Sequence, residues 1–336
     1  MASNNCKNIN IKSKERNIRF IPTIFEHSAK LINKTPSETA VNSELLEEAQ
    51  VKAYQLYKHD AVTVGIDVYN IEAEALGCEV KFHEDNSVPG IITHPFEENY
   101  DLEKICFLPE KGRINIVLNA AKGVKKRIGD YVSVGVGISG PFSICAELVG
   151  FEKLVTDCID NEDMVCRLLE KVLLFQQDYC KEIISAGLGI TLFESWASPP
   201  LISPGTYRQF VMPYEKELIA YINSLGVFNV PLVIGGNTSS ILDDMVATGT
   251  SLIISDYNTD MEYYIKKAKE RNMAVRGNID PKLVEKGPKE EIIAKVKEML
   301  DKAKGYDKFI IGTGVLPYNT PSENVLAIKG YLSSLQ

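Results

Sequence analysis

The chain is predicted to fold as one (β/α)8 TIM barrel, and three observations predict it. Short apolar, partly β-branched runs recur along the sequence, each followed by a helical pattern, and eight can be counted. Polar residues stand at the ends of these runs, beside turns that use Gly, Ser and Pro. The rival architecture, a doubly wound sheet, calls for a Gly-x-Gly-x-x-Gly at its first crossover, and none is present. No linker or shift in composition divides the 336 residues, so residues 20–336 are read as a single domain. The polar, mildly basic stretch 1–19 reads as a flexible N-terminal leader.

The elements follow in order. The run Phe20 to Phe25 precedes a helix near Glu26 to Leu31. Ser43 is placed to cap the next helix, and Glu44 and Glu47 bring negative charge to the positive end of its dipole. Ala61 to Ile66 is the second run, ending near Asp67 and Tyr69. Alternation from Val80 to Ile92 marks a small hairpin inserted beside the main body. Val132 to Ile138 is the third run, followed by Ser139-Gly140-Pro141 and a helix from Phe142. Ile190 to Phe193 is the fourth and stops at Glu194. In the second half, Pro231 to Ile234 leads into Gly235-Gly236-Asn237, and Leu252 to Ser255 ends at Asp256. Ala274 to Arg276 leads into Gly277-Asn278, and Phe309 to Ile311 into Gly312-Thr313-Gly314.

Composition excludes several classes of function. A net charge of -8 argues against nucleic acid as a partner, since phosphate binding needs a basic face. No apolar run reaches the ~18 residues of a membrane helix, so no membrane partner is expected. The seven cysteines form no Cys-x-x-Cys pair, which fits reduced thiols in a cytoplasmic protein. Four histidines, all in the first third of the chain, limit the usual zinc chemistry.

The stretch Gly187 to Tyr214 carries the strongest functional signal. A buried strand delivers a carboxylate, Glu194, and an aromatic ring, Trp196, to a loop that Pro199-Pro200 prevents from continuing as strand. Ser203-Pro204 then caps a helix. In a barrel the polar strand ends meet at one mouth: Asp67 and Tyr69, Ser139, Glu194 and Trp196, Asn237, Asp256, Asn278 and Thr313.

Six segments carry a family resemblance: Glu72–Val80, Gly137–Glu152, Ser195–Tyr214, Gly235–Leu242, Arg276–Pro281 and Ile310–Ile328. With them the chain resembles the uroporphyrinogen decarboxylase superfamily and, within it, the corrinoid-dependent methyltransferases. The resemblance implies a barrel with a deep cleft at the strand C-termini. Of the Arg-rich N-terminal motif of the decarboxylases only Arg16 and Arg19 remain, which leaves the propionates of a porphyrinogen without partners, although Asp67 could stand in for the pyrrole-binding aspartate. The zinc-dependent thiol methyltransferases carry His-x-Cys and a later Cys where this chain has Val233, Gly235 and Val315. None of the three can bind metal, so zinc is not expected at that site.

What remains resembles the methyl-donor side of the same systems: transfer of a methyl group from a small methylated substrate, foremost an aryl methyl ether, to the cobalt of a partner corrinoid protein. The alternatives are a decarboxylase, a methylcobalamin-dependent methyltransferase to another acceptor, and a non-catalytic binding subunit. Such chemistry requires alignment of the methyl carbon and a proton or metal for the departing oxygen. Glu194 is expected as general acid or, with Asp256, as part of an oxygen-ligand metal site. Tyr69 and Trp196 are expected to wall an aromatic substrate, and Asn237 and Asn278 to donate hydrogen bonds to it. Asp67 and Thr313 complete the expected lining. Superfamily members are often dimers, so a homodimer is within what the resemblance implies.

Overall fold

The computed structural model describes residues 18–335. The leader expected over 1–19 lies outside them except for Ile18 and Arg19, and Arg19 already opens the first strand, β1 (Arg19–Thr23). Next come β2 (Val62–Val64), the hairpin strands β3 (Val80–Lys81) and β4 (Gly90–Ile91), then β5 (Val134–Ser139) and β6 (Gly189–Phe193). The second half supplies β7 (Leu232–Val233), β8 (Leu252–Ser255), β9 (Ala274–Ile279) and β10 (Phe309–Val315). The expected hairpin is present, with Val80 paired antiparallel to Ile91.

The remaining eight strands form two four-stranded parallel sheets, ordered β1-β10-β9-β8 and β2-β5-β6-β7. This is an α/β fold of parallel strands, and no continuous ladder joins the sheets among the described residues. Single links bridge them instead: Asp60 N–H donates to Phe20 O at 2.9 Å, and Ser251 N–H donates to Val230 O at 3.1 Å. All eight strands contribute to one cavity of about 140 Å³, lined by Ile21, Thr63, Gly135, Ile190, Val233 and Arg276 among others.

Parallel strands bury both faces, which is why they read as continuous apolar runs. On the outer face, Val136 and Ile138 join a core with Leu169 and Phe175 of the helix Glu162–Ser185. Ile253, Val275 and Ile311 join a second core with Ile265 and Val296 of the helices Met261–Arg271 and Lys289–Lys302. Full burial of each such side chain contributes roughly 1.5–3 kcal/mol.

Two local outcomes differ from expectation. The helix Ser43–Tyr57 is capped by Asn42, whose side chain accepts from the Glu44 and Leu45 N–H groups, and Ser43 is its first helical residue. A carboxamide oxygen reaches two orphan donors from that position. After Ser203, which caps as expected, the chain forms a π-helical turn over Tyr207–Val211. Pro213 has no N–H to continue the α ladder, so the turn before it widens.

Candidate functional site

Residues from five strand ends converge. Strand alternation puts Arg276 and Asn278 on one face of β9, while Val275 and Ile279 enter the outer core on the other. Asn278 Nδ2 lies 3.5 Å from Asp256 Oδ1, at the end of the neighbouring β8. Asp256 also accepts from Gly236 N–H at 2.9 Å and from Tyr257 N–H at 3.1 Å, which ties it to the turn after β7. Asn278 Oδ1 is buried without a partner among the described residues.

Aromatic rings form the adjoining wall. Phe25 and Tyr69 each meet Phe193 edge-on, with ring centroids 5.8 and 5.7 Å apart, the geometry the ring quadrupoles favour. Val68, Val233 and Val315 pack into the same cluster. Burial pushes the Tyr69 hydroxyl upward in pKa, Ser195 opposes this through a hydrogen bond, and the charges of Glu26 and Arg276 act on it from either side. Glu26 opens the helix Glu26–Leu31 immediately after β1 and is only partly exposed. Burial raises its pKa to about 7 against the opposing hydrogen bond to backbone. A carboxyl poised there carries its proton part of the time at neutral pH, as a general acid must.

The other expected residues make the following contacts. Glu194 is fully enclosed, with Oε1 accepting from Ser143 N–H at 2.6 Å and Oε2 buried without a partner. Burial raises its pKa to about 7, opposed by the Ser143 and Phe142 donors at the start of the helix Pro141–Val149. Asp67 is buried in a fork-to-fork ion pair with Arg113, and Asn70 donates to it as well. Trp196 turns from the rings of the wall: its indole N–H donates to Glu147 at 2.8 Å and its face stacks on Phe151 at 4.7 Å. Thr313 is wholly buried, with its hydroxyl on Thr23 N–H. Asn237 is exposed, and its side-chain oxygen accepts from Ser239 N–H in a local turn. The geometry therefore unites Tyr69, Asp256 and Asn278 from the expected set.

Glu26, Arg276, Phe25 and Phe193 stand outside the expected set and lie about Tyr69 and its ring partners. Their signal was positional: Phe25, Glu26 and Phe193 stand at strand ends, and Arg276 is an inward-facing charge within an apolar run. Ser139 is equally enclosed, its N–H donating to the buried Glu72 at 2.9 Å.

The donor set does not fit zinc at the position the resemblance indicates. Val233 and Val315 present methyl groups to the aromatic cluster, and Gly235 has no side chain. Among the described residues no group of three or more His, Cys, Asp or Glu side chains is arranged to hold a metal ion. Nor is any helix of the described residues long and apolar enough to cross a membrane.

Comparison with known proteins identifies the family. The family model described as "Uroporphyrinogen decarboxylase (URO-D)" matches residues 17–330. The methylcobamide:CoM methyltransferase MtbA of Methanosarcina mazei is 30% identical over 294 residues, covering 86% of this chain and 84% of that protein. A uroporphyrinogen decarboxylase of Geobacter sulfurreducens is 27% identical over 322 residues, covering 92% and 89%. A solved methyltransferase from Methanosarcina mazei superposes with a TM-score of 0.82 at 26% identity, covering 95% of this chain and 94% of that one.

Proposed function

The chain belongs to the uroporphyrinogen decarboxylase family, and on that premise we propose that it is a corrinoid-dependent methyltransferase acting on the methyl-donor side. The observation that carries this reading is a disagreement within the likeness. Methyltransferases are among its relatives, yet the positions expected to activate a thiol are Val233, Gly235 and Val315. The methyl source is then a small methylated substrate such as an aryl methyl ether. We read the two parallel sheets as halves of one (β/α)8 barrel, which is supported by the single cavity that all eight strands line.

A corrinoid carried by a partner protein supplies the nucleophile that takes the methyl group. At the rim Gly235 is exposed and borders open space, which leaves its backbone accessible to a flat macrocycle. The chain's own task is to hold the methyl carbon toward the mouth and to protonate the departing oxygen. Tyr69, with Phe25 and Phe193, gives an aromatic substrate its wall. Asn278 and Asp256 lie in reach of substrate oxygens. Glu26 gives its proton to the leaving oxygen and is left as carboxylate. Glu194, enclosed against Ser143, holds the β5 turn in place and touches no substrate.

The test is methyl transfer to a reduced corrinoid protein, followed by the absorption of methylated cobalt, with a panel of methyl ethers and methylamines. Transfer from an aryl ether, slowed about 100-fold or more in Glu26→Gln and little changed in Glu194→Gln, is the expected result. Absence of transfer from every donor, with decarboxylation of a porphyrinogen instead, removes the reading.

A further inference from the structure

We propose that Arg276 anchors a carboxylate on the methyl-bearing substrate, so that the enzyme acts on small anionic aryl ethers and discriminates against neutral ones; this rests on the methyl-transfer reading above. Arg276 is 9% exposed, and among the described residues no salt bridge and no hydrogen bond reaches its guanidinium. The contrast with the other buried arginine is direct. Arg113 spends its donors on Asp67 and Glu74 at 2.6–2.8 Å. A buried charge without a partner is costly, and a protein that keeps one in a cavity reserves it for a ligand.

The surroundings specify that ligand. Asp256 acts on Arg276 through space, but its oxygens are occupied by Gly236, Tyr257 and Asn278. Burial lowers the pKa of Arg276 to about 10, so it stays charged at neutral pH. Gly312 on β10 makes room for it, since an added Cβ would lie 2.7 Å from the Arg276 Cδ and 2.9 Å from Asn278 Oδ1. The cavity that Arg276 lines is about 140 Å³, close to the roughly 150 Å³ of an apolar cavity that accepts benzene. Ile190, Phe193 and Val233 share its lining. A planar carboxylate on one aromatic ring matches both the fork of the guanidinium and this volume. Bound that way, the ring stands against Ile190, Phe193 and Val233.

The experiment is calorimetric titration of the full-length protein with benzoate, 4-methoxybenzoate and methoxybenzene, in wild type, Arg276→Gln and Arg276→Lys. Transfer of the methyl group from the two ethers is measured in parallel. The expected result is that wild type binds 4-methoxybenzoate roughly 10- to 100-fold more tightly than methoxybenzene. Arg276→Gln should erase the difference, and Arg276→Lys should restore part of it, since an ammonium keeps the charge without the fork. Equal wild-type affinity for the acid and the neutral ether overturns the anchor, and that comparison stands even where Arg276→Gln does not fold. Benzoate binding lost in Arg276→Gln, with no transfer from any ether, keeps the anchor and sinks the methyl-transfer reading. Transfer from the neutral ether at the rate of the acid does the reverse.

Discussion

Asp67 and Arg113 meet fork to fork: Nη1 lies 2.8 Å from Oδ1 and Nη2 2.7 Å from Oδ2, with both side chains almost fully buried. Arg113 reaches Glu74 at the same time, through Nε at 2.6 Å. The pair ties the end of β2 to the residue before the helix Ile114–Ile128, and it occupies the aspartate that the resemblance would offer to a pyrrole.

Removing one partner leaves the other as an uncompensated buried charge. Arg113→Met is therefore expected to lower stability by about 3–5 kcal/mol in urea unfolding. Asp67→Asn paired with Arg113→Met should recover a large part of that loss. A change in substrate KM for Asp67→Asn with stability intact would instead give the aspartate to the substrate.

Gly140 and Glu194 are packed so closely that one fixes the other. A Cβ on residue 140 would lie 1.9 Å from the Glu194 Oε2 and 2.2 Å from its Cδ, in a site with no solvent to move into. Gly140→Ala is expected to cost roughly 1–3 kcal/mol as overpacking. The double variant Gly140→Ala with Glu194→Ala should be less destabilised than the sum of the two. Strict additivity in that cycle would show that the residues do not touch.

Stability should fall as pH rises from 6.5 to 8. Burial raises Glu72 to about 8 and Glu194 to about 7, from 4.5 in the unfolded chain. Over that interval the folded state binds more protons, so unfolding is favoured as pH increases, by on the order of 2 kcal/mol. His27 and His59 act in the opposite direction lower down. Burial holds them to about 4 and about 3 against 6.5, so their contribution is lost as pH falls through that range. Urea midpoints at pH 6.5 and 8 check the first effect, which Glu72→Gln should flatten. A midpoint that climbs over this interval would contradict it.

Zinc should make no difference at the end of β7. Val233, Gly235 and Val315 offer no nitrogen, sulfur or charged oxygen from a side chain, so added zinc should leave the melting temperature unchanged. Native mass spectrometry after dialysis against zinc should find the metal-free mass. A stoichiometric zinc adduct that survives Val233→Ala would place a metal site elsewhere.

How much was legible in the residues follows from the range of each interaction. Strand runs and helix starts are local: Leu252–Ser255 and Glu26–Leu31 fall where their apolar pattern and first-turn acid put them, and Ser203 caps by the same short-range hydrogen bond its type predicts. Asn42 in place of Ser43 is a shift of one residue between two capable caps. Strand-end polarity was legible too, but its division between site and scaffold was not. Asp67 and Trp196 look like site residues along the chain and are drawn aside by Arg113, 46 residues on, and by Glu147, 49 residues back.

The sequence by itself determined the family, the alternation of parallel strands with helices, the acidic charge that disfavours nucleic acid, and the loss of metal-binding side chains at positions 233, 235 and 315. Only the tertiary structure decided which carboxyl is enclosed and which stays partly exposed. Glu194 and Glu26 both follow strands, yet Glu194 is sealed by the helix after β5 while Glu26 stays partly open beside Tyr69. The reason is that desolvation and pairing depend on what the rest of the chain packs around a group, and for Arg276 that packing supplies a cavity in place of a hydrogen-bonded partner.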